Sequence, residues 1–263
     1  MAMPKILVIG EGKTDIGVIK RMFSAYGKEV SVVSYKTDIY QLYSLYENQG
    51  VDYENIDVQQ VFLDNLSSLK QSEIKILQDK YVDVFLVFDF DPQSDQADIA
   101  KLKKLLTHFS DSSDMGKLYI NYPMMESYQH IDGAKLKSGE VDEEFFERRF
   151  TNVDLVRRSV QTSYKVRAKE EGFKYRTLSK DEWDFLIHHH LFKIEKLVGS
   201  LRSAEFSGEK FVELLEMQWG NYTKHHEAEV VNTSMMIIPE LYPNEWQESE
   251  KLKSLQASIK GKI

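Results

Sequence analysis

Two spacings of apolar residues run along this chain, and they divide it into short strands and helices. Residues 5–10 (KILVIG) form a nearly continuous apolar run, the pattern of a strand buried on both faces. Glu11-Gly12-Lys13-Thr14-Asp15 reads as a turn, with Thr14 or Asp15 placed to cap a helix. Ile16, Ile19, Phe23 and Tyr26 then recur at helical spacing. Residues 29–35 (EVSVVSY) alternate in part and predict a second strand. Residues 38–80 carry three helical stripes. The first is Ile39, Leu42, Tyr43 and Tyr46, and the second is Val58, Val61, Phe62 and Leu66. The third, weaker, is Leu69, Ile74 and Leu77. The strongest strand is 81–90 (YVDVFLVFDF). Residues 95–109 predict an amphipathic helix capped by Asp95, with Ile99, Leu102, Leu105 and Leu106 inward. Residues 117–122 (KLYINY) predict another strand, and Pro123 suits the first turn of a helix after it.

Strands alternating with helices predict an α/β fold, a mostly parallel sheet flanked by helices, over about residues 1–135. Residues 136–263 read as a helical C-terminal part, clearest at 180–198 and 208–220.

Composition narrows the chemistry. The chain has 263 residues and no cysteine, which excludes disulfides, thiolate metal sites and thiol catalysis. No apolar run approaches the length of a membrane span. The N-terminal residues lack the pattern of a signal peptide, so a cytoplasmic protein with no membrane partner is expected. With 42 acidic against 34 basic residues and a net charge of −8, the chain does not coat nucleic acid by bulk charge.

Acidic residues stand at the C-terminal ends of three predicted strands: Glu11, then Asp89 and Asp91, then Glu126. In an open parallel sheet those ends share one edge, where ligands bind. The strand period puts Asp89 and Asp91 on one face. Clustered carboxylates repel and resist burial, and a hard divalent cation compensates them. The bland reading is that the two aspartates end a strand before Pro92, and that Glu126 is a first-turn acid favoured by the helix dipole.

These residues resemble a known family. Glu11-Gly12-Lys13-Thr14-Asp15 is similar to the Glu-Gly signature that opens a Toprim domain, and Asp89-Phe90-Asp91 to its DxD. The order also matches, over roughly residues 5–130. The nearest likeness is to OLD-type nucleases and to small Toprim proteins of phage-defence loci. Their N-P-hydrophobic-hydrophobic-E segment is similar to Asn121-Tyr122-Pro123-Met124-Met125-Glu126, with one residue inserted. Glu11 and Asp89 stand farther apart than in compact Toprim domains, which implies a helical insertion at about 38–80. The resemblance implies a nuclease that uses Mg²⁺ or Mn²⁺ on DNA or RNA, tRNA included. Asp89, Asp91, Glu11 and Glu126 would be metal ligands, with Glu11 and Lys13 in catalytic roles. It further implies an ABC- or AAA-type ATPase partner, anti-phage defence as the setting, and room for a homo-oligomer. A Toprim-like binding scaffold, or a metal-dependent phosphotransfer enzyme on a small substrate, would use the same residues differently.

A basic segment supports a nucleic-acid partner. Residues 148–180 contain ten basic residues: Arg148, Arg149, Arg157, Arg158, Lys165, Arg167, Lys169, Lys174, Arg176 and Lys180. They face three acids and are interleaved with Tyr164, Phe173 and Tyr175, a mixture suited to phosphates and unstacked bases. A solvated helical face, or a dock for an acidic protein, would look the same.

Three motifs mislead. Gly12-Lys13-Thr14 mimics the end of a P-loop, but Leu7 occupies the position of the required first glycine. LVFDFDP mimics a haloacid-dehalogenase nucleophile strand, yet Pro92 and Gln93 follow it and it does not come first in the chain. His188-His189-His190 cannot converge on one ion, because successive helical positions point about 100° apart. A structural role is expected for the three, one on the buried face and another in solvent. His225-His226 is expected to be structural as well.

Overall fold

The computed structural model describes residues 5–48, 57–65, 69–151, 164, 173–199 and 208–247. The expected α/β architecture is present. Strand β1 (Ile6–Gly10) leads into helix α1 (Lys13–Ala25) and strand β2 (Ser31–Ser34). Helices α2 (Ile39–Asn48), α3 (Val58–Asn65) and α4 (Gln71–Leu77) return the chain to β3 (Asp83–Asp89). Helix α5 (Ile99–His108) and the short β4 (Ser110–Asp111) precede β5 (Gly116–Asn121). The sheet order is β2-β1-β3-β5-β4, parallel except for β4, a short antiparallel edge that the sequence pattern did not predict.

The strands are buried on both faces, as their unbroken apolar runs require: Leu7, Val8, Ile9 and Phe85, Leu86, Val87, Phe88 have no exposure. Each such side chain is stabilised by about 1.5–3 kcal/mol on leaving water. Crossovers between parallel strands are right-handed. That rule sets α1 on one face and the segment returning to β3 on the other, where α2 packs against α5.

Beyond β5 come a 3₁₀ turn (Met125–His130), α6 (Gly133–Ser138), α7 (Glu143–Glu147) and β6 (Arg149–Phe150). Two long helices follow, α8 (Lys180–Val198) and α9 (Gly208–His225). The two-residue β7 (Ala228–Glu229) pairs antiparallel with β6. A 3₁₀ turn (Thr233–Met236), α10 (Ile237–Leu241) and α11 (Pro243–Gln247) end the described chain. Helix α8 packs against α1 and α9 against α5, so this half reaches both helical layers and one apolar core runs through both halves.

Local details differ from expectation. Gly12 is the cap residue of α1, and Asp15 reaches back from inside the helix to accept its amide at 2.6 Å. Asp98, not Asp95, caps α5, accepting from the Ala100 amide at 2.8 Å. Pro123 does not open a helix. It follows a cis bond, and the extended Met124 separates it from the 3₁₀ turn. None of the three successive histidines reaches solvent: His188, His189 and His190 are all fully buried. His188 and His189 bond through Nδ1 to the carbonyls one turn earlier, and burial pushes all three well below the usual histidine range. They are neutral core residues. His225 and His226 are exposed at the end of α9.

Candidate functional site: a carboxylate edge between the first and third strands

The chain leaves β1 toward β2 on one side and returns to β3 on the other. Such a reversal opens a crevice at the carboxyl ends of the strands. Glu11 follows the end of β1 and Asp89 ends β3, so the two acids flank that crevice.

The backbone holds Glu11 from both neighbours. Its amide donates to the Val87 carbonyl at 3.1 Å, and its carbonyl accepts from the Lys36 amide at 2.8 Å. Gly10 allows this close entry, since a Cβ there would meet Asp15 Cβ at 3.1 Å and Ile16 Cγ2 at 3.2 Å. The Glu11 carboxylate accepts from the Asp89 amide at 3.3 Å, while Asp89 Oδ1 accepts from the Met125 amide at 2.7 Å. These bonds tie the ends of β1 and β3 and the turn after β5 into one edge.

Asp15, Asp89, Asp91 and Glu126 are each no more than 7% exposed, and Glu11 is half-buried. Burial, then Asp91 and Asp15, raise the Glu11 carboxyl to about 8. Burial, then Glu11, Asp15, Asp91 and Glu126, push Asp89 well above the usual carboxylate range. Four of these five acids are the predicted ligands. Asp15 is the addition: the sequence offers it as a helix cap, and its spacing of one helical turn from Glu11 is the signal that it also faces the edge.

Asp91 does not continue the strand. It takes a left-handed backbone (φ 39°), which aspartate tolerates better than most residues, and accepts from Gln93 Nε2 at 2.9 Å. Its field still acts on both Glu11 and Asp89. Lys13, the first residue of α1, is exposed beside the edge.

Among the described residues, no three His, Asp or Glu side chains are gathered into a ready ligand set. Glu11 and Asp89 are each turned onto a backbone amide instead. The donor chemistry fits a hard divalent ion nonetheless. Every contributor is a carboxylate, Mg²⁺ needs only one or two of them plus water, and the strongest electrostatic influences on Glu11 and Asp89 are other carboxylates. Two surface clefts, of about 470 and 750 Å³, are lined by other residues.

Of the basic segment, Arg157, Arg158, Lys165, Arg167 and Lys169 lie outside the described residues. Arg149 pairs with Glu229 at 2.6 Å and Glu227 at 3.7 Å across the β6–β7 pair. The half-buried Arg148 accepts from Lys193 Nζ through its carbonyl. Lys174 and Arg176 are exposed, Arg176 lying over the Tyr175 ring, and Lys180 pairs with Asp184 at 2.9 Å. Tyr175 approaches α1 closely, its hydroxyl 2.7 Å from where a Cβ on Gly17 would stand. The exposed Lys174 and Arg176 are thereby anchored through Tyr175 to the helix that starts at the carboxylate edge. No family model matches this chain, and no curated protein or solved structure matches it.

Proposed function

We propose that this protein is a Toprim-type, metal-dependent nuclease that hydrolyses phosphodiester bonds in DNA or RNA. The observation that carries the reading is the meeting of Glu11 and Asp89 across the β1–β3 crevice, where burial and the other acids raise both carboxyls. Asp89, Asp91 and Glu126 would hold Mg²⁺ or Mn²⁺, with Glu11 as ligand or general acid/base. The bound ion supplies polarisation of the phosphodiester and a more acidic water. Glu11, raised to about 8, holds or releases a proton near neutral pH, the property a general acid/base needs. Lys13 is available to a phosphate oxygen from the exposed start of α1. Lys174 and Arg176 are available to the nucleic-acid backbone, together with the other cations of the basic segment. The Toprim resemblance adds an ABC- or AAA-type ATPase partner and a role in anti-phage defence.

The test is direct. Plasmid DNA and total tRNA are incubated with the protein in Mg²⁺, Mn²⁺ or EDTA, beside Glu11→Ala and Asp89→Ala. Cleavage is expected with metal only, and at least about 100-fold slower in both variants. Cleavage that persists in EDTA, or at wild-type rate in both variants, removes this site from the reaction. Mn²⁺ binding without cleavage of either substrate favours the binding-scaffold reading instead.

A further inference from the structure

A run of buried hydrogen bonds leads from the C-terminal half into the carboxylate edge. The Asn232 backbone amide donates to His190 Nδ1 at 3.0 Å. Its side-chain amide donates to the Met125 carbonyl at 2.8 Å, and its side-chain oxygen accepts from the Ser234 hydroxyl at 2.6 Å. The Met125 amide in turn donates to Asp89 Oδ1 at 2.7 Å. Asn232, Ser234 and His190 have no exposure. A bond that one of them loses therefore leaves its partner buried away from bulk water.

Covalent geometry extends the reach of this contact. The Met125 carbonyl and the Glu126 amide belong to one rigid peptide plane. Fixing that oxygen fixes the direction in which the chain enters Glu126. The Met125 amide, on the other side of the same Cα, is the donor to Asp89. A single side chain thus restrains carboxylates from two different elements. Ser234 matters because its hydroxyl occupies Asn232 Oδ1, leaving the NH₂ group to face Met125.

We infer that Asn232 is a positioning residue of the carboxylate edge, holding Asp89 and Glu126 in register through the Met125 peptide. What the two acids are positioned for, a divalent cation, rests on the reading proposed above. Groups around metal ligands typically change metal affinity about 10- to 100-fold when removed.

The test uses the full chain carrying Asn232→Ala, Ser234→Ala or Thr233→Val. Thr233 is the control: it is equally buried and donates at 2.8 Å to the Ile120 carbonyl, outside this run of bonds. Two quantities are read, the proton shift and exchange protection of the Met125 amide without metal, and the affinity for Mn²⁺ alone. Asn232→Ala is expected to move that amide proton upfield, reduce its protection and weaken Mn²⁺ binding about 10-fold. Ser234→Ala should act in the same direction to a smaller extent. Thr233→Val should lower Tm and leave both quantities unchanged. An unchanged Met125 amide in Asn232→Ala and Ser234→Ala, or an equal change in Thr233→Val, overturns the inference. Should Asn232→Ala fail to fold, Ser234→Ala against Thr233→Val decides. Should the wild type bind no Mn²⁺, the metal reading fails, while the Met125 amide still reports whether Asn232 positions Asp89.

Discussion

Between pH 4.5 and about 8 the folded chain keeps a proton on Glu11 that the unfolded chain has released. Folding without metal is therefore favoured at the acid end of that window. The advantage is lost as pH rises through about 8. Asp89, also raised, acts in the same direction. Two outcomes are expected. In EDTA, Tm should fall as pH is raised from about 5 to about 8, and Glu11→Gln or Asp89→Asn should flatten the fall. At pH 8 Glu11→Gln should stabilise the metal-free protein by about 1 kcal/mol, or roughly 2–4 °C in Tm, because a half-buried charge among other carboxylates is gone. The same variants should lose Mn²⁺ binding. Binding itself should tighten from pH 6 to pH 8 and release protons, measurable by calorimetry in buffers of different ionisation heat. Equal stability of wild type and Glu11→Gln across this range would mean that Glu11 titrates as an ordinary surface acid.

At the scale of elements, the strands were legible because burial on both faces leaves no choice of residue: KILVIG and VFLVF admit few other readings. The acids at their ends were legible for the same reason, as polar residues that interrupt an apolar run just where the sheet ends. What stayed hidden depends on contacts distant in sequence. Asp95 and Asp98 both precede the apolar stripe of α5, and composition does not choose between them; in the structure Asp98 caps and Asp95 is exposed. Asp98→Ala should cost about 1 kcal/mol by thermal unfolding, and Asp95→Ala close to nothing. The histidine run is structural, as its spacing implies, but none of the three faces solvent, although helical periodicity assumes one wet face. Helix α8 is buried nearly all round, packed on α1 and on the turn at Thr233–Met236. Asn232 carried no signal in the sequence, since an asparagine earns attention only when its partners are known.

Across the whole molecule, Lys193 shows how tightly the C-terminal half is bound together. It is fully buried on α8, donating to the Phe145 carbonyl at 3.1 Å and the Arg148 carbonyl at 2.5 Å, and lying 3.3 Å from Glu229. It joins α7, its C-terminal cap residue Arg148, and β7 to the long helix. Burial lowers its ammonium to about 8, the cost of keeping a cation inside. Lys193→Ala removes one of two donors from each carbonyl, whose other donors are the Arg148 and Val230 amides, and leaves Glu229 to Arg149 alone, so it should destabilise by about 1–3 kcal/mol in denaturant titrations. A loss below about 1 kcal/mol would mean that water or a neighbour replaces the ammonium easily.

The link from Asn232 to Met125 also has a consequence in time. During synthesis Glu11, Asp89 and Glu126 leave the ribosome long before residue 232 does. A nascent chain can pair its strands early, yet the Met125 peptide lacks its clamp until residue 232 has emerged and docked. If the edge cuts nucleic acid, the order of translation keeps it incomplete while ribosomal RNA and tRNA are nearest to it.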